Sequence, residues 1–75
     1  MVKYAITRVD NGTVEYLVLF GYDGGKWVYK FTAGDLFAPI CVWTAHAAYD
    51  LINFLSSNFC ELRGNLYVEE VDLDG

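Results

Sequence analysis

The sequence is short of the residues that most catalytic and metal-binding chains rely on. It holds one histidine, two cysteines and one proline. A conventional zinc site draws four ligands from closely spaced pairs. Cys41, Cys60 and His46 are far apart, with no Cys-x-x-Cys and no second histidine, so no metal or other cofactor is expected. Two cysteines also fall short of the disulfide framework of a small secreted scaffold. Cys41 and Cys60 are expected to be buried free thiols of a cytosolic protein, with a single disulfide between them as the alternative. Basic side chains are scarce: five Lys and Arg stand against ten Asp and Glu, a formal charge of −5. That balance repels phosphate backbones and disfavours direct nucleic-acid binding. No apolar run is long enough to cross a bilayer, and Met-Val-Lys-Tyr-Ala-Ile does not start a secretory leader. The expected setting is the cytoplasm. Repeats, linkers and low-complexity tracts are absent, and residues 1–75 read as one small domain.

What is present is apolar material: 55% of residues are hydrophobic, 17% aromatic and only 20% charged. A domain this small hides only roughly 60% of its unfolded surface. The surplus predicts an apolar surface that meets another molecule. Charge is uneven along the chain. Glu61, Glu69, Glu70, Asp72 and Asp74 crowd the C-terminal end against Arg63 alone, while from Leu36 to Cys60 there is one acid, Asp50, and no Lys or Arg.

Thr44 to Ser57 is the one convincing helix. The Thr44 hydroxyl can accept from an unpaired N–H of the first turn, and Ala45, Ala47 and Ala48 favour helix. His46, Asp50, Asn53 and Ser57 recur at steps of four, three and four, one narrow polar stripe. Ala48, Tyr49, Leu51, Ile52, Phe54 and Leu55 make the rest apolar, so the helix needs a sheet to lie on.

Strands supply that sheet. Val2 to Val9 alternates, with Val2, Tyr4 and Ile6 on one side. Asp10-Asn11-Gly12 is a tight turn into Thr13 to Phe20. In strict alternation Val14, Tyr16, Val18 and Phe20 share a face, with Leu17 and Leu19 opposite. The three glycines of Gly21-Tyr22-Asp23-Gly24-Gly25 mark a second turn. Lys26 to Thr32 places Trp27, Tyr29 and Phe31 on one face and both lysines on the other. Ala33-Gly34-Asp35 reads as a turn, Leu36 to Ala38 as a helical turn ended by Pro39, and Ile40 to Val42 as a short extended piece. Asn58 ends the helix, Gly64-Asn65 turns, and Leu66 to Leu73 is the last strand. The predicted architecture is α+β: an antiparallel sheet of about four strands in the order β-β-β-α-β, with one helix packed on one face.

Candidate chemistry is thin. His46 and Asp50 lie one helical turn apart and read as an exposed ion pair rather than a base and its orienting carboxylate. The glycine-rich turn lacks a following helix and a Walker lysine, so it is no phosphate cradle. The acids Glu69, Glu70, Asp72 and Asp74 suit a solvated strand end that draws a basic protein surface. The aromatics are the stronger signal. Both sheet faces carry large apolar residues and there is only one helix, so a second copy of the chain or another protein is expected to cover the second face. Trp27 and Tyr29 are expected on that uncovered face as anchors, with Glu69, Glu70 and Asp72 steering the partner.

The layout of Lys3-Tyr4-Ala5-Ile6, Tyr16-Leu17-Val18, Trp27, a helix bearing Ala47-Ala48, and Tyr67-Val68-Glu69-Glu70-Val71 spans most of the chain. It resembles many very small proteins of phages and other mobile elements, in which a strand hairpin is followed by a Trp, a helix and a final strand. Some similar small acidic proteins inhibit bacterial defence, anti-CRISPR proteins among them. The nearly uncharged helix departs from the charged helices common in that group. The resemblance implies a non-enzymatic inhibitor that occludes a host protein complex in the host cytoplasm, a nucleic-acid-binding complex being one such partner. The other expectations are a structural homo-oligomer and, least favoured, a small metal- or thiol-dependent enzyme.

Overall fold

The computed structural model describes residues 1–33 and 39–72. The helical turn expected at Leu36–Ala38, and Leu73 and Asp74, lie outside the described residues. The elements are β1 (Val2–Asp10), β2 (Thr13–Asp23), β3 (Lys26–Thr32), β4 (Cys41–Val42), α1 (Ala45–Asn58), a 3-10 turn (Cys60–Leu62) and β5 (Leu66–Asp72). This is the predicted α+β pattern, an antiparallel sheet with one helix, extended by the two-residue strand β4.

Two turns of the same kind close the hairpins. Asn11 and Gly12 have φ of 51° and 80°, and Gly24 and Gly25 have 60° and 83°. Two consecutive residues in the left-handed region give the turn whose twist matches paired strands, which is why Asn-Gly and Gly-Gly stand there. The second turn is thus shorter than the glycine count suggests. Gly21 is a strand residue paired with Val28, and β2 runs on to Asp23.

β1 is the hub of the sheet. One of its edges carries β5 along its length, from Val2↔Asp72 to Arg8↔Leu66. The other edge is shared: β2 pairs with Thr7–Asp10, and β4 pairs with Tyr4 and Ala5. β2 leaves β1 beyond Tyr16, and the segment before β4 enters the gap, where the Ile40 N–H donates to the Leu17 carbonyl at 2.9 Å. At the same place β2 bulges against β3. Leu17 opposes Phe31 and Leu19 opposes Lys30, so Val18 is an extra residue.

The bulge overturns the strict alternation read along β2. An inserted residue shifts the parity of every side chain after it. Leu17 and Phe20 therefore share the helix side, and Tyr16 and Leu19 share the other. The helix side holds the core: Ile6, Leu17 and Phe31 from the sheet, Ala48 and Leu55 from α1, and Leu62 from the 3-10 turn. Leu62 stands between Glu61 and Arg63 with no periodic pattern around it, so nothing in the local sequence marks it as core.

The helix ends are satisfied as the sequence suggests. Thr44 Oγ1 accepts from the Ala47 N–H at 3.0 Å. At the other end the Asn58 amide donates to the Phe54 carbonyl at 2.8 Å, and Arg63 Nε donates to the Ser56 carbonyl at 2.9 Å. A cation on the last carbonyls also suits the negative end of the helix dipole.

Candidate protein-interaction surfaces

Three zones of the surface carry the residues singled out above. The first is an aromatic corner where the β2–β3 hairpin meets the end of α1. The parity shift puts Phe20 and Tyr22 on the same side as Trp27, and Phe54 reaches them from the helix. Trp27 stacks on Phe20 at 5.1 Å with planes 10° apart, and Phe54 and Tyr22 meet it edge-on at 5.0 and 5.3 Å. The corner is only partly covered: Tyr22 is 64% exposed and Trp27 38%. Beside it runs a shallow open groove lined by Tyr22, Gly25, Lys26, Trp27, Asn58 and Phe59.

Trp27 and Tyr29 therefore lie on the helix side, and their expected placement on the uncovered face is corrected. The β3 alternation was read correctly; the helix lies over the aromatic half of it rather than the lysine half. Tyr29 packs edge-on against Phe59 at 4.6 Å and Phe31 at 5.7 Å, and its hydroxyl donates to Glu61 Oε1 at 3.2 Å. Partial burial holds the Tyr29 phenol above its ordinary pKa. The neighbouring Glu61 charge and hydrogen bond add to this, and Arg8 opposes it.

The second zone is the sheet face away from α1. The pairing places Val9, Val14, Tyr16, Leu19, Val28 and Tyr67 there, around the small buried residues Ala5 and Thr7. Val14 and Leu19 are each 48% exposed. Trp43 stands at one end, with the Lys3 ammonium 3.8 Å from its ring centre. Among the described residues no element lies over this face.

The third zone is the acidic end of β5. Glu69, Glu70 and Asp72 are all exposed, but they do not act as one patch. Glu69 faces the open side with Tyr67. Glu70 and Asp72 face the helix side, and Asp72 pairs with the N-terminal ammonium at 3.6 Å. These acids line one edge of the sheet, while Trp27 and Tyr29 line the other on β3. The fold does not bring the two predicted groups together.

The remaining chemical candidates stay dispersed. His46 and Asp50 form the expected exposed pair at 3.4 Å. Both cysteines are free; Cys41 is half-buried, but Cys60 is exposed, against the expectation of two buried thiols. Cys60 leads the 3-10 turn, and that turn sends Leu62 inward in its place. No group of three or more His, Cys, Asp or Glu among the described residues is arranged to hold a metal. No helix among the described residues is long and apolar enough to cross a membrane. Compared with known proteins, the chain matches no family, no curated sequence and no solved structure.

Proposed function

We propose that the chain is a non-enzymatic protein-binding module that acts by stoichiometric occlusion of a partner. In the reading that the resemblance implies, it is a phage or mobile-element inhibitor of a host protein complex, working in the host cytoplasm. The observation that carries the binding role is the aromatic corner. Trp and Tyr are the side chains most enriched among interface hot spots. Here Trp27 is already held by Phe20 and Phe54, so little rotamer freedom is lost when a partner docks. The chain charge of −5 favours a partner whose docking surface is basic, with Glu70 and Asp72 contributing to steering at the far edge.

Calorimetry against purified host defence complexes tests this. Binding that weakens by about a hundredfold in Trp27→Ala, with an unchanged circular dichroism spectrum, supports the corner as the anchor. Equal affinity for the wild type and the variant removes it.

A further inference from the structure

We infer that the open sheet face is the contact between two copies of this chain, packed face to face about a twofold axis parallel to the strands. The face is built for self-pairing in both shape and charge. Tyr16 pairs with Thr7 on one side and Thr32 on the other, and Thr7 pairs with Tyr67, so Thr32, Tyr16, Thr7 and Tyr67 form one row across the sheet. Two residues along in the same direction, the next row holds Lys30 on β3, Leu19 on β2, Cys41 and Ala5 in the middle, and Glu69 on β5. Lys30 and Glu69 are thus opposite ends of one row on one face.

A twofold axis along the strands reverses left and right but keeps each row at its own height. It lays β3 of one copy over β5 of the other. Lys30 then meets Glu69 of the second copy, and Glu69 meets its Lys30, so one contact repeated twice closes the pair. The same operation sets Leu19 over Ala5, Tyr16 over Thr7 and Val28 over Val71. Large side chains face small ones in the first two contacts, as interdigitating sheets require.

The charge distribution favours a second copy here over a basic partner. The strand residues of this face carry Lys3, Lys26 and Lys30 against Asp23 and Glu69, whereas Glu15, Glu70 and Asp72 point to the helix side. In an acidic chain this face is balanced, each of its acids lying in a row with a lysine, so two copies approach without a surplus of one sign. The aromatic corner stays outside the contact, because Trp27 and Tyr22 lie on the helix side. Self-association and partner binding at the corner are therefore separable.

Light scattering and sedimentation at micromolar concentration test the pairing. The expected mass is twice the 8.5 kDa of one chain. Lys30→Glu and Glu69→Lys each place like charges in register and should weaken association by about tenfold. The two changes in one chain should restore it. Leu19→Asp should abolish it while the far-ultraviolet spectrum is retained. A monomeric wild type overturns the inference. So does a dimer indifferent to Leu19→Asp, or a charge-swapped double variant that stays as weak as the folded single variants. None of these outcomes bears on the Trp27 measurement.

Discussion

Arg8 Nε donates to Glu15 Oε1 at 2.8 Å, across a directly paired position of β1 and β2. The same guanidinium lies 4.5 Å from the centre of the Phe31 ring. One side chain thus ties together three strands on the helix side of the sheet. Both partners are largely shielded, at 24% and 20% side-chain exposure. A shielded charge-assisted bond contributes more than a surface ion pair, and the ring contact adds to it. Arg8→Ala should lower stability by about 1–3 kcal/mol in urea titration. Arg8→Lys should recover only part of this, since an ammonium lacks the planar stacking surface. Full recovery by lysine would show that the ring contact contributes nothing.

The bulge at Val18 makes a sharper prediction. Deleting Val18 removes the inserted residue and returns β2 to strict alternation. Leu19 would then follow Leu17 directly, so Leu19↔Lys30, Phe20↔Tyr29 and Tyr22↔Trp27 keep their pairing and their faces. The deletion variant should therefore keep its aromatic corner and its tryptophan emission, losing only the local bend that the bulge gives β2. A red-shifted emission in a folded deletion variant would mean that the bulge geometry itself holds Phe20 and Tyr22 beside Trp27.

The core is small, so single truncations should be severe. Leu55 and Leu62 are at 0% and 1% exposure. Replacing either by alanine should cost about 2–5 kcal/mol. A chain of this length has a total stability on the order of 4–11 kcal/mol. Leu55→Ala should therefore be partly unfolded at 37 °C, read by circular dichroism. Leu62→Ala tests whether the 3-10 turn belongs to the cooperative core. A loss well under about 1 kcal/mol would place it outside.

Tyr29 gives the pH dependence. Burial first, and Glu61 second, raise the pKa of the phenol above its ordinary value. The folded state therefore holds this proton more tightly than the unfolded chain does. The associated stability is fully present below the ordinary tyrosine range and is lost as pH rises through the folded value. Absorbance titration should show Tyr29 ionising above the ordinary tyrosine value, and Glu61→Gln should bring it earlier. A Tyr29 that titrates at the ordinary tyrosine value would contradict its burial and its contact with Glu61.

Much of this protein is decided by local sequence. Asn11-Gly12 and Gly24-Gly25 adopt left-handed backbone at little cost, so the hairpins were legible at once. Thr44 before three alanines, and the spacing of His46, Asp50, Asn53 and Ser57, defined the helix and its wet side. The β3 alternation correctly grouped Trp27 with Tyr29 and Phe31. What local pattern cannot decide is which side of a two-faced sheet the helix covers, because both sides are apolar and periodicity is blind to sign. It also cannot see Val18 as an extra residue, since a bulge is a misfit between two strands and has no signature in one. Those two facts, settled only when the strands pair and the helix docks, put Trp27 and Tyr29 beneath α1 and left Val14, Leu19 and Tyr67 in the open.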